Sequence, residues 1–96
     1  MPAYIIVDTQ IENAEEYEAY KAKARPLAES FGGEYLARGG EMAVLEDDLW
    51  TPTRIVIVKF PDLAAAKAFH ASEAYAPVKA LRRANAKCTL IAVDGI

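Results

Sequence analysis

Cysteine, histidine and tryptophan each occur once in these 96 residues. A lone thiol, Cys88, forms no internal disulfide. Without a CxxC pair or a His/Cys cluster, a structural zinc site has no ligand set, and no metal is expected. Basic residues are also few: 11 Lys and Arg against 14 Asp and Glu leave a net charge of −3 and a pI near 5.1. Proteins that bind nucleic acid usually present a basic face, so this balance argues against that class of partner. No apolar run approaches the roughly 18 residues of a membrane span. No basic segment followed by an apolar one opens the chain, and "MPAYIIVD" enters a strand directly; these absences favour a cytoplasmic protein with no membrane partner. The five glycines form neither GxGxxG nor GxxxxGK[ST], so dinucleotide and phosphate-loop sites are not expected. No cofactor is expected.

What the chain has in plenty is apolar surface. Hydrophobic residues make up 53% of it, yet a domain of this size buries only roughly 60–65% of its unfolded surface. The pattern fits one domain over residues 1–96. "AYIIVDT" (3–9) is β-branched and reads as a strand. Asn13, with Glu16 three residues on, forms a capping-box pattern. Tyr17, Tyr20, Ala24, Leu27 and Phe31 then recur at helical spacing over 14–30, with Pro26 predicting a kink or break near Lys23–Ala24. Strands are predicted at 34–38 and 42–46, joined through Gly39-Gly40 as a two-residue hairpin turn, and at 54–60. The acidic stretch 46–53 reads as a loop. Asp62 is the predicted cap of a helix over 63–71, Ser72 that of a helix over 73–84, and 87–96 is the closing strand.

This α+β order, βαββαβ with a short extra hairpin strand, builds a four-stranded antiparallel sheet with its helices on one face. Such a sheet should alternate apolar and polar residues. Here it does not: Ile55 and Ile57 oppose Val56, Val58 and Phe60, while Leu90 and Ala92 oppose Ile91 and Val93. An apolar face left bare would exceed what monomers tolerate, so a homodimer packed sheet face to sheet face is expected. An RNA-recognition module shares the element order, but "RIVIVKF" offers aliphatics where stacking aromatics are needed.

The segments "PAYIIVD", "YEAYKAKARPLAESFGGEYLARGG", "VLEDDLWTPTRIVIVKFPDLAAAKAFHASEAYAPVKALRRANA" and "LIAVDG" together resemble the family called domain of unknown function 1330. That family lies in the dimeric α+β barrel superfamily of ferredoxin-like folds. The resemblance implies two sheets packed face to face and a cavity between each sheet and its helices. Relatives in the superfamily include cofactor-independent monooxygenases, haem-degrading monooxygenases, isomerases and non-catalytic binding or stress proteins.

Two residues are candidates for catalysis. His70 is the readiest general acid or base near neutral pH; equally, a histidine at a helix end serves the last carbonyls. Arg38, expected on the same face as Leu36, can grip a carboxylate or enolate or stand as a solvated strand-end charge. The segment "FHASEAY" resembles the family's aromatic–Tyr/His–x–Ser–x–x–Tyr pattern, which groups Ser72 and Tyr75 with His70. Trp50 is expected as a lid or an interface anchor, and Tyr20 as a core residue with its hydroxyl reaching the cavity. Arg54, Arg82 and Arg83 are weaker candidates, since a helix C-terminus favours positive charge on structural grounds alone. Haem on His70 is an alternative that lacks a supporting residue set. The expected ligand is a small, partly apolar, anionic molecule, handled by an enzyme or by a non-catalytic binding protein.

Overall fold

A computed structural model describes all 96 residues. The elements are β1 (Ala3–Ile11), α1 (Ala14–Ser30), β2 (Glu34–Arg38), β3 (Ile55–Phe60), α2 (Leu63–Ala71), α3 (Ala76–Asn85) and β4 (Ala86–Asp94). The strands form one antiparallel sheet in the order β2-β3-β1-β4. Pairing β1 with both β3 and β4 places the two most aliphatic partners beside it, for example Ile5 between Val58 and Ala92. The helices cover the face presented by Ala3, Ile5, Val7, Val56, Val58 and Phe60, all of them buried.

Local chemistry sets the helix boundaries. The Asn13 side chain accepts the Glu16 N–H at 3.1 Å, and the Asp62 carboxylate accepts the Ala65 N–H at 2.7 Å; each satisfies a donor that the first turn leaves unpaired. At the far end of α1, the Gly32 N–H donates to Glu29 O and the Gly33 N–H to Ala28 O. This is a Schellman closure, and it needs the left-handed φ of +85° that Gly32 adopts.

The structure departs from the sequence expectation in several places. α1 runs unbroken through Pro26. Both Pro26 and Ala22, whose carbonyl loses a donor, are exposed, so water can replace the missing bond. The third helix begins at Ala76 rather than at residue 73. Ser72 still serves the turn before it, its hydroxyl accepting the Tyr75 N–H at 3.2 Å.

The predicted hairpin and the strand at 42–46 are absent: residues 40–54 hold no helix or strand. Instead the Gly39 N–H donates to Ile55 O at 2.9 Å, and β2 pairs directly with β3. That pairing gives β2 a buried aliphatic neighbour, whereas residues 42–46 are exposed along their whole length. The loop is tethered by one carboxylate. Asp8 accepts the Trp50 indole N–H at 2.9 Å, the Thr53 N–H at 2.8 Å and the Arg54 N–H at 3.1 Å. Desolvation works against the charge on Asp8, but these bonds together outweigh it and hold its carboxyl below the usual range.

The outer sheet face carries Tyr4, Ile6, Ile55, Ile57, Ile91 and Val93, as the registers require. No helix covers it. Ile91 and Val93 keep 51% and 44% of their surface exposed; Leu36 on β2 and Leu45 and Leu49 on the loop 40–54 are exposed as well.

Candidate functional site

A cavity of about 50 Å³ lies between the sheet and the helices, lined by 15 residues of which 11 are hydrophobic. β1 and β3 supply a floor of Ile5, Val7, Val56 and Val58. α1 supplies Tyr17, Tyr20, Lys21 and Ala24, which repeat at intervals of three and four and so share one helical face. Phe69, Tyr75, Arg82 and Leu90 close the far side.

Tyr20 and Tyr75 meet across this space, hydroxyl to hydroxyl, at 2.8 Å. Burial pushes both phenols above their ordinary pKa, so each remains a protonated donor at neutral pH rather than a base. One hydroxyl donates to the other, which leaves one O–H free to point elsewhere. Tyr75 also packs on Phe69 at 4.4 Å between ring centroids, tilted by 39°, and Phe69 stacks on Phe60 at 5.6 Å. This aromatic column holds the dyad against the core.

Four cationic residues line the cavity, Lys21, Arg38, Arg54 and Arg82, and no carboxylate does. The two ion pairs of the chain are Lys21–Glu18 at 2.8 Å and Arg25–Glu29 at 3.7 Å, so the three arginines of the cavity have no acidic partner. Arg38 and Arg54 lie over tyrosine rings, at 5.9 Å from the Tyr35 centroid and 5.6 Å from the Tyr17 centroid. Gly39 makes room for Arg54. Its φ is +67°, and a Cβ there would collide with the Arg54 guanidinium.

Arg38 reaches the cavity because of a register shift. Strict alternation places it with Leu36, as the sequence suggests. Between Tyr35 and Ala37 the β2–β3 ladder slips by one residue, so Tyr35 pairs with Val58 and Arg38 with Val56, both inward-facing. Leu36 sits in the irregularity and is 52% exposed. The expected face of Arg38 is thereby corrected: it shares the cavity side with Tyr35.

Among the residues singled out from sequence, Arg38, Tyr20 and Tyr75 come together at the cavity, as do Arg54 and Arg82 of the weaker candidates. His70, Ser72, Trp50 and Arg83 lie elsewhere. His70 opens onto a separate groove with Arg82, Arg83, Ala86, Cys88 and Leu90. Arg82 and Leu90 line both spaces and so form the wall between them. Burial depresses the pKa of His70, and the charges of Lys79, Arg82 and Arg83 depress it further, which favours its neutral form. Ser72 is engaged with the backbone, donating to Phe69 O at 2.8 Å while accepting from Tyr75 N–H. Trp50 is 59% exposed and bonded to Asp8, away from the cavity lining.

Arg82 lies in the last turn of a helix, where a cation needs no further reason and the sequence offers it as a weak candidate. The signal that marks it out is periodicity: Val78 and Arg82 are four apart and share the buried face of α3. Arg82 is 4% exposed, and its Nε and Nη1 have no hydrogen-bond partner. No cluster of His, Cys, Asp or Glu suits a metal ion.

Similar architectures occur in solved structures. A protein of unknown function from Rhodopseudomonas palustris superposes with a TM-score of 0.77 at 20% identity, covering 99% of this chain and 82% of that one. A dimeric ferredoxin-like protein of unknown function from Jannaschia sp. gives 0.73 at 15% identity, covering 99% and 100%. SnoaB, a cofactor-independent oxygenase from Streptomyces nogalater, gives 0.71 at 14% identity, covering 99% and 93%. At these identities the likeness is one of fold. No curated protein matches the sequence. The family model described as Domain of unknown function (DUF1330) matches residues 2–96, nearly the whole of the described fold, and the chain belongs to that family.

Proposed function

We propose that this chain is a homodimeric domain that takes a small, partly apolar, anionic metabolite into the cavity and acts on it without a cofactor, in the manner of a monooxygenase or isomerase. The observation that carries the reading is the lining itself: 11 hydrophobic residues out of 15, four cationic ones and no acid. Such a site favours an apolar body bearing negative charge and rejects cations. Arg38 attracts the anion at the mouth, while Tyr20 and Tyr75 offer a neutral hydrogen bond inside. His70, kept neutral beyond the Arg82 wall, exchanges protons. Trp50 and Ser72 support the surrounding loop and helix. The ferredoxin-like fold shared with SnoaB, named as a cofactor-independent oxygenase, supports the reaction class.

A second reading has its own support. His70 lines a neighbouring groove and not the cavity, and the cavity phenols are donors rather than bases. A site without a base at its centre suits binding without turnover. Native mass spectrometry of freshly purified protein reports subunit number and any retained ligand together. On an identified ligand, His70→Ala and Arg38→Ala should abolish turnover without lowering Tm. Full activity in both variants overturns the assigned roles, and a ligand recovered unchanged from the wild type favours the binding reading.

A further inference from the structure

Arg82 presents a physical problem that the chain itself does not solve. A buried guanidinium normally finds a carboxylate or several carbonyls, because an unpaired charge away from water is strongly unfavourable. Arg82 is 4% exposed with two nitrogens unpartnered, although α3 ends within one turn and its last carbonyls lie close by in sequence. Its neighbour Arg83 is exposed and free to serve the helix terminus. Asn85 already donates to Leu81 O at 2.9 Å. Arg82 makes neither of these contacts; it stands in the wall between the cavity and the His70 groove and lines both.

We propose that Arg82 is the anchor of the ligand's charged group, and that this group is the carboxylate of a small planar unsaturated or aromatic acid, held jointly by Arg82 and the Tyr20–Tyr75 hydroxyl pair. The inference rests on the cavity reading above and narrows it. The space of about 50 Å³ is worth only a few water molecules, since one occupies about 10–15 Å³ on this measure. A carboxylate and the first atoms of its body fill it. The two orphan guanidinium nitrogens carry three N–H and the free phenol hydroxyl adds one O–H, four donors in all. That number suits the two oxygens of a carboxylate and leaves the three non-bridging oxygens of a phosphate dianion poorly served. The rings of Tyr17, Tyr35 and Phe69 and the aliphatic floor then surround the rest of the molecule, which favours a flat, apolar body. Arg38 and Arg54, held over tyrosine rings at the mouth, draw the anion inward without competing for its head.

The test uses the intact protein, calorimetric melting and titration calorimetry at pH 7.5. The probes are acrylate, sorbate and benzoate, the corresponding amides, and inorganic phosphate. At least one acid is expected to raise the wild-type Tm progressively with its concentration, while its amide and phosphate do not. Arg82→Met should melt at or above the wild type without ligand, because the uncompensated buried charge is gone, and its Tm should no longer respond to the acid. Arg82→Lys keeps the charge but loses the planar fork, and should bind the acid about tenfold or more weakly, a difference of about 1.4 kcal/mol. Binding of the amide as strongly as the acid overturns the proposal, as does an undiminished response in both Arg82 variants; the cavity reading survives either result. Tighter binding of phosphate than of any acid overturns the carboxylate assignment. An Arg82→Met protein that is less stable without ligand overturns the argument from unpaired charge. If no acid, amide or phosphate shifts the wild-type Tm, the cavity reading fails with it.

Discussion

Tyr20 on α1 and Tyr75 at the start of α3, 55 positions apart, share a hydrogen bond of 2.8 Å across the cavity. It is a side-chain tie between these helices; elsewhere the N–H of Asn13, the cap of α1, donates to Asn85 O at the end of α3 at 3.1 Å. Tyr20→Phe or Tyr75→Phe should each cost roughly 1 kcal/mol, the usual net worth of such a bond, and lower Tm by about 4–8 °C in a domain of this size. The double variant should cost about 1 kcal/mol less than the two single costs combined, because the second change finds the bond already gone. Strictly additive costs would show that the hydroxyls do not interact in solution.

Asp8 is the side chain that holds the loop 40–54 to the sheet, through Trp50, Thr53 and Arg54, beside one backbone bond from the Thr9 N–H to Arg54 O at 2.9 Å. Trp50 is the single tryptophan of the chain, so its fluorescence reports the tether directly. Asp8→Ala should shift its emission and speed hydrogen exchange at the amides of Thr53 and Arg54, with little change in exchange at Ile5 or Val58. The carboxyl titrates below its ordinary value of 3.8. Its contribution is therefore complete above that pH and lost as the pH falls through the lower folded value. The wild-type fluorescence should change only below about pH 3.8, and Asp8→Ala should lack that step. A tryptophan signal already altered at pH 5 would contradict the tether.

The fold was readable from sequence where each signal was local. Asn13, Asp62 and Gly32 mark helix ends by chemistry confined to a few residues, and α1, β2 and α2 fall where these signals place them. What failed was whatever depended on a distant partner. Met42–Glu46 has strand-like composition, but β2 gives its edge to β3 instead. The face of Arg38 depends on a one-residue slip at Leu36 that no pattern in "EYLAR" announces. The site was half legible for the same reason. Tyr20 and Tyr75 follow from helical spacing and from the family-like "FHASEAY" segment, but their meeting depends on how α1 and α3 pack. Arg82 was hidden by the sound rule that cations favour helix C-termini, which left its burial unasked.

The uncovered sheet face yields a prediction about assembly. Tyr4, Ile6, Ile55, Ile57, Ile91 and Val93 form an apolar surface that the helices leave bare. A second copy packing on it removes that surface from water at about 25 cal/mol per Å². Light scattering should give twice the chain mass of 10.5 kDa. Ile57→Asp or Ile91→Asp should give a monomer that retains helical circular dichroism, since neither side chain faces the core. A wild type that is monomeric at micromolar concentration would overturn the sheet-to-sheet dimer.

His70 gives a dependence on pH whose sign is fixed by its surroundings. Burial, followed by the positive charges of Lys79, Arg82 and Arg83, lowers its folded pKa below 6.5. The Lys79 ammonium is held nearby, donating to His70 O at 3.1 Å. As the pH falls below 6.5, the unfolded chain binds a proton that the folded protein still refuses, so acidification favours unfolding. The stability that His70 contributes is thus fully present above the unfolded value and is lost as the pH drops through the folded one. Calorimetric melting between pH 7.5 and pH 5 should show the wild-type Tm falling with acid, and His70→Gln should flatten that fall. The same variant should leave the acid transition of Asp8 untouched, because that carboxyl titrates in a lower window on the opposite side of the sheet. Equal slopes in the wild type and His70→Gln would show an imidazole open to water and free of the burial and positive charges that lower its pKa.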